Sequence, residues 1–179
     1  MIETERLLLR QWIDSDRAAF CQLNSDPETM CFFPNVFSKE ESNAFIDKTI
    51  GLIQEQGYGL FAVERKSDHQ FLGFIGLAHP AYETHFTPCT EIGWRIDKEH
   101  WGNGYATEGA KAVLNFAFNQ LKLEEIVSFT AVLNQPSINV MKRIDMKLDL
   151  NGEFNHPRVE VGHKLERHVL YRLKREDYE

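Results

Sequence analysis

Hydrophobic and polar positions along the chain repeat with periods of about two and about 3.6, and the switches between them predict its elements. Arg6-Leu7-Leu8-Leu9-Arg10-Gln11-Trp12 reads as a first strand. Asp14 can cap a short helix through Leu23, with Ala18, Ala19, Phe20 and Leu23 on its apolar side, and Ser25-Asp26-Pro27 is a turn or a helix start. Ser38-Lys39-Glu40-Glu41 has the form of a capping box. The helix it opens carries Phe45, Ile46, Thr49, Ile50 and Ile53, and Gly57-Tyr58-Gly59 ends it. Leu60–Val63 and Phe71–Leu77 then form a hairpin around the polar turn Lys66-Ser67-Asp68-His69, and His79–Pro88 is a loop.

Thr90–Ile96 alternates, with Glu91, Gly93 and Arg95 on one face and Ile92, Trp94 and Ile96 on the other. Ala106, Ala110, Val113, Ala117 and Leu121 make the apolar stripe of a helix about four turns long. Ile126–Val132 is a β-rich run, Asn134-Gln135-Pro136 opens a helix to about Ile144, and two last strands are expected near Leu148–Phe154 and His163–Lys174. The order is mixed: hairpins, then strand-helix-strand-helix, then a hairpin. That predicts an α/β (α+β) protein, one sheet with helices packed on it.

Composition adds limits to this picture. The 179 residues suit one domain, 1–179, and 42% hydrophobic with only 6 Pro is the make-up of a globular chain rather than a disordered one. MIETERLLLRQW is acidic first and has only three leucines in its apolar run, unlike a signal peptide. No stretch approaches the roughly 20 apolar residues that span a bilayer. Cys21, Cys31 and Cys89 are odd in number without C-x-x-C spacing, which reads as reduced thiols and a cytoplasmic location. The net charge of -7 argues against nucleic-acid binding and suits a cationic partner. His85-x-x-x-Cys89 lies in a loop, and His156, His163 and His168 share no spacing, so no metal site is expected.

One stretch stands apart: His100-Trp101-Gly102-Asn103-Gly104-Tyr105-Ala106-Thr107-Glu108-Gly109, with three glycines between a strand and a helix. A Walker loop would need Gly-Lys-Ser/Thr, which is absent. A dinucleotide fingerprint would need a third glycine where Thr107 stands, and it belongs in the first strand-to-helix turn rather than past mid-chain. A plain glycine-rich turn and a pyrophosphate cradle at a helix N-terminus both stay open on local grounds.

The flanks add a resemblance. Trp101-Gly102-Asn103-Gly104-Tyr105-Ala106 resembles the pyrophosphate motif Q/R-x-x-G-x-G/A of the GNAT N-acetyltransferase superfamily. Trp101 replaces the usual Gln or Arg, as in the form W-G-x-G-Y-A-T-E of the RimJ/RimL-like branch, which acetylates N-terminal amines of ribosomal proteins. Glu91-Ile92-Gly93-Trp94, the run Asn134-Gln135-Pro136-Ser137-Ile138-Asn139-Val140-Met141, the opening ETERLLLRQW and the closing HVLYRLKREDY are similar to that branch as well. The likeness spans nearly the whole chain. It implies the GNAT fold: a mixed sheet of about six to seven strands, splayed at its centre and flanked by about four helices.

The resemblance also implies acetyl-CoA as donor and direct attack of a primary amine on its thioester, with no metal. The acceptor is then a protein N-terminal amine, ribosomal proteins included, or a small amine, and the protein a monomer or homodimer without nucleic-acid or membrane contacts. Such a reaction needs a neutral amine, a donor for the oxyanion and a protonated leaving thiolate. Glu91 matches a position where some members carry a base; binding the acceptor's ammonium, or pairing with Arg95, is the alternative. The main chain of Arg95 and Ile96 is implied to bond the pantetheine and the thioester carbonyl. Gly102, Asn103, Gly104, Tyr105, Ala106 and Thr107 are implied to offer amides to the pyrophosphate, with Trp101 touching cofactor or packing under the loop. Asn134 bonds pantetheine, caps the helix, or does both.

The general acid departs from the superfamily, whose last helix often has a Tyr where this chain has Met141. A thioether donates no proton. Ser137 can serve instead, or it can bond free amides of the helix start, and a thiolate leaves near neutral pH without help. Lys142-Arg143 can meet a ribose phosphate or face the helix dipole. Asp145 replaces the branch's glycine after this helix; Asp tolerates a left-handed cap at some cost, so a slightly different helix end is expected there, without loss of function. The acceptor site is expected between Asp26–Ser38, with Phe32, Phe33 and Pro34, the loop His79–Pro88 and the last hairpin. An acyl-CoA-binding domain without catalysis is the competing reading.

Overall fold

A computed structural model describes residues 1–178. Strands β1 (Ile2–Glu3), β2 (Leu7–Arg10), β3 (Leu60–Arg65), β4 (Gln70–Ala78), β5 (Glu91–Ile96), β6 (Glu125–Ala131), β7 (Lys147–Leu148), β8 (Phe154–Asn155) and β9 (Arg167–Lys174) join in one nine-stranded sheet. Its order is β1-β2-β3-β4-β5-β6-β9-β7, with β8 also on β9. Every pairing is antiparallel except β5 with β6, which run parallel and meet only at Glu91 and Val127. Below that pair the two strands diverge, so the sheet splays at its centre as expected.

Four α-helices among the described residues cover the faces: α1 (Asp16–Ser25), α2 (Lys39–Gln56), α3 (Tyr105–Asn119) and α4 (Gln135–Arg143). The stripe Ala110, Val113, Leu114 and Ala117 of α3, with Ile138 and Met141 of α4, packs on Leu7, Leu9, Ile75, Leu77 and Ile92. On the opposite face α1 and α2 pack Phe20, Leu23 and Ile46 against Trp12 and Phe74. A third cluster, Phe86, Val127 and Leu170, continues that second face under the loop between β4 and β5. None of the helices is long and apolar enough to cross a membrane.

Most elements fall where the pattern puts them, and the differences have local causes. The capping box is formed: the Ser38 hydroxyl accepts from the Glu41 N–H and the Glu41 carboxylate from the Ser38 N–H, and Gly57 closes α2 in the left-handed region. In α1 the carboxylate that binds backbone is Asp16, not Asp14. It accepts the Ile13 N–H at 3.0 Å and holds Arg10. The first strand stops at Arg10, because Trp12 turns into the core and its indole N–H finds the Leu60 carbonyl. The expected last hairpin is instead β9 with two short partners, β7 and β8, separated by a turn in which the Asp149 carboxylate accepts the Asn151 N–H. After α4, Asp145 takes φ 64°. The Met146 N–H returns to the Met141 carbonyl, so Asp does the work the branch gives to glycine.

Candidate active site

The loop between β5 and α3 turns its carbonyls inward. The Asn103 amide donates to the carbonyls of His100 and Trp101 at 3.0 and 3.1 Å, and the Asn103 carbonyl accepts from Arg6 at 3.0 Å. The Gly104 carbonyl takes the Glu108 N–H. No hydrogen bond from the N–H groups of Gly102, Asn103 or Gly104 forms among the described residues. Gly102 and Gly104 sit at φ 78° and 80°, the left-handed region that strains any side chain. Gly104 is the N-cap of α3 and contributes no side-chain bond, so the first N–H groups of Tyr105, Ala106 and Thr107 also stay free. Six consecutive free amides thus lie at the positive end of a helix dipole, an arrangement that favours an anion.

The loop is held from behind by residues the motif does not contain. Arg6 Nε donates to Glu108 at 2.6 Å, the Thr4 hydroxyl meets the same carboxylate at 2.6 Å, and the Arg6 guanidinium lies 4.7 Å over the Tyr105 ring. The signal was present as charge: ETERL and ATEG each carry one of the paired ions. Trp101, 44% exposed, donates its indole N–H to the Ile96 carbonyl at 2.7 Å, so it fastens the loop to the end of β5.

Register decides which amides of β5 face the opening. Asp97 lies opposite Leu72 and donates to its carbonyl, and antiparallel alternation then commits the Arg95 N–H to β4. The free N–H groups at the splay are therefore those of Trp94 and Ile96. The expectation for the Arg95 main chain moves one residue back, because the parity of the strand was set by its other neighbour. Across the opening, the Ser137 hydroxyl accepts from the Trp94 indole at 3.3 Å. Asn134 caps α4 by accepting the Ser137 N–H at 3.2 Å, and it donates to Thr130 at 2.8 Å. The Ser137 hydroxyl is thus not spent on the helix start, and its proton is free. Met141 is buried in the core, and Lys142 and Arg143 are exposed at the C-terminal end of α4.

Glu91 points to the other face, beside Val127. Its carboxylate has no hydrogen-bond or ion-pair partner among the described residues. Part of the residue keeps contact with solvent, yet burial of the carboxyl pushes its pKa up to about 8. Around it are Cys89, raised to about 11 by burial and then by the Glu91 charge, and Tyr82, raised by the same two causes. The Tyr82 hydroxyl bonds His156 Nε2 at 3.1 Å, and His156 packs against His168 with ring centroids 4.8 Å apart and the rings tilted by 42°. Because His156 Nδ1 accepts the Arg158 N–H, the neutral ring carries its proton on Nε2 and donates it to Tyr82. Burial and His168 push His156 down to about 4. Of the histidines without common spacing, His156 and His168 meet in three dimensions as packing, and no metal-binding group of His, Cys, Asp and Glu exists among the described residues.

Arg95 shares the Glu91 face and is 8% exposed. Its guanidinium lies 4.2, 5.0 and 5.3 Å from the rings of Phe33, Phe37 and Phe74. It donates to Asn24 at 2.6 Å and has no carboxylate partner among the described residues, so it is not paired with Glu91. Burial pushes its pKa down to about 9. Of the expected aromatic wall, Phe33 is the residue set over this cation.

The comparisons agree with this architecture. Residues 6–147 match the Acetyltransferase (GNAT) domain. The chain belongs to the GNAT acetyltransferase family. The uncharacterized N-acetyltransferase YnaD of Bacillus subtilis is 32% identical over 148 residues, 82% of each chain. A GNAT-family acetyltransferase from Bacillus anthracis superposes with TM-score 0.79 at 28% identity, over 98% of both chains. A spermidine N-acetyltransferase from Vibrio cholerae, solved with CoA and spermine, has the same fold at 19% identity, with TM-score 0.75 over 98% of this chain and 99% of that one. In this GNAT protein the splay, the bare α3 start and the unpaired Glu91 all adjoin β5.

Proposed function

We propose that this GNAT protein moves the acetyl group of acetyl-CoA to a primary amine lodged on the Glu91 face of β5. The observation that carries the reading is the pairing of six free amides at the α3 start with an unpartnered, buried carboxyl on the adjoining strand. Acetyl-CoA supplies an acetyl group activated as a thioester. The amides of Gly102 through Thr107 hold its diphosphate, and Trp94 and Ile96 offer main-chain N–H groups along the opening. Asn134 contributes the second hydrogen of its side-chain amide, since Thr130 uses only one.

Glu91 takes a proton from the incoming ammonium. A carboxyl raised by desolvation falls back toward its ordinary range once a cation sits beside it, so it binds the ammonium first and then accepts its proton. Ser137 Oγ, oriented by the Trp94 indole, gives its proton to the departing sulfur across the opening. The RimJ/RimL-like branch, with a protein N-terminus as acceptor, and a small amine in the cytoplasm are the two acceptor classes this site accommodates. Release of free thiol from acetyl-CoA over a panel of small amines and N-terminal peptides tests the reading. Turnover with at least one class is expected. Tight CoA binding without turnover on any acceptor overturns it in favour of an acyl-CoA-binding domain, the reading that the buried Met141 supports.

A further inference from the structure

Two ionisable side chains, one acidic and one basic, lie on one face of β5 without a counter-charge among the described residues. Cα atoms four residues apart on a strand are separated by about 13 Å, and Glu91 and Arg95 stand at that spacing with Gly93 between them. A Cβ placed on Gly93 would meet one atom within 4 Å, Oε1 of Glu91 at 3.8 Å. The floor between the charges is therefore bare backbone under open space, and the carboxylate leans along it toward Arg95.

Arg95 is built to be held and left unsatisfied. Asn24 donates its amide hydrogen to the Ser42 hydroxyl at 3.0 Å, which fixes its oxygen toward Arg95. That is one bond for five N–H donors, and the buried Nε has no partner. Three aromatic rings box the guanidinium without offering a counter-charge. One of them, Phe33, is itself 37% exposed, so the box has a side toward solvent. A buried cation left without its anion costs stability unless something else supplies that anion.

We infer that the acceptor is a small amine that also carries a carboxylate, with its ammonium at Glu91, its chain over Gly93 and its carboxylate on the Arg95 guanidinium. This rests on the amine-acetylation reading above. Arg95 is then the residue that sets specificity, since a planar fork of donors matches a carboxylate.

The test compares ω-amino acids of graded length, from 3-aminopropanoate to 6-aminohexanoate, with the alkylamines that lack their carboxylate. In the native protein kcat/KM is expected to favour the best amino acid over its alkylamine by about 100-fold. Asn24→Asp places a carboxylate of the chain beside Arg95, which keeps the fold and removes the need for an external one. In that variant the preference is expected to fall to less than about 5-fold while turnover of the alkylamine is unchanged. Calorimetry with pentanoate, which has no amine and cannot be acetylated, reads the same contact apart from catalysis: binding to the native protein and loss in Asn24→Asp are expected. Equal kcat/KM for the paired acceptors overturns the inference, as does better turnover of a peptide N-terminus than of any amino acid. So does a preference that persists in a folded Asn24→Asp protein, which would make Arg95 a clamp for the segment carrying Phe33 and Phe37. If no amine of any kind releases thiol but pentanoate still binds only the native protein, the acetylation reading fails and the carboxylate site stands.

Discussion

The two halves of the site around β5 are made of different material. Toward α3 the groups on offer are main-chain N–H donors from Gly102 to Thr107, with the local side chains of Asn103, Trp101 and Arg6 turned to hold the loop. On the other face the groups on offer are side chains, Glu91 and Arg95, neither paired with an opposite charge among the described residues. Under the proposed function the contrast follows from what each half is to hold. A diphosphate is the same in every reaction, and backbone amides bind it without constraining sequence beyond the glycines that let them converge. The acceptor varies, and only side chains can be exchanged to follow it.

Glu91→Gln should break the acceptor half most severely. General-base contributions run to roughly 100- to 10,000-fold, so kcat/KM for the amine should fall at least about 100-fold while KM for acetyl-CoA stays put. The native rate should rise as pH climbs through about 8, where the buried carboxyl ionises, and this limb should vanish in the variant. A raised folded-state value also means that Glu91 lowers stability as pH rises from its ordinary 4.5 to about 8, so Glu91→Gln should melt higher than the native protein at pH 8. An unchanged profile would remove Glu91 from the chemistry.

Gly104→Val should break the donor half next. A β-branched residue at φ 80° distorts the α3 start, and KM for acetyl-CoA should rise about 30-fold with little change in the preference among amines. A smaller effect is expected of Arg6→Met. It frees the Asn103 carbonyl and leaves Glu108 without its ion, so KM for acetyl-CoA should rise about 5-fold, and Glu108→Gln should add little on top because the two act as one unit. Ser137→Ala should lower kcat by less than about 10-fold, since a thiolate leaves readily. Ser38→Ala sharpens the comparison as its control. It removes the side-chain cap of α2, the very device α3 does without, and should cost about 1 kcal/mol in urea titration with both KM values unchanged.

What the sequence showed and what it hid divide along the same line. Elements with their own punctuation could be read directly: Ser38 and Glu41 at the start of α2, Gly57 at its end, the alternation of β5 and the stripe of α3. Strands of two residues could not. β7 and β8 have no period of their own and exist because β9 presents an edge. Asp14 reads as the cap in a string of letters, yet the N-cap position falls to Ser15, which makes no side-chain bond, while Asp16 is engaged by Arg10 on β2. The glycine loop could be read because backbone chemistry leaves glycines behind. The acceptor face could not, because Tyr82 and His156 meet across 74 positions and Asn24 reaches Arg95 across 71. No spacing encodes such a meeting.

The single pairing between β5 and β6 has a consequence for how the molecule comes apart. β1 to β5 are knitted by antiparallel ladders, with one register shift at Val63/Glu64, and so are β6 and β9, but one residue pair, the Val127 N–H on the Thr90 carbonyl and the Ser128 hydroxyl on the Ile92 carbonyl join the two parts at the seam. The opening proposed for the donor is thus also the weakest joint of the sheet. A molecule bonded to Trp94 and Ile96 on one lip and to Asn134 on the other acts as a clasp across it. Hydrogen exchange of the β6 amides and the melting temperature should then both report the concentration of CoA.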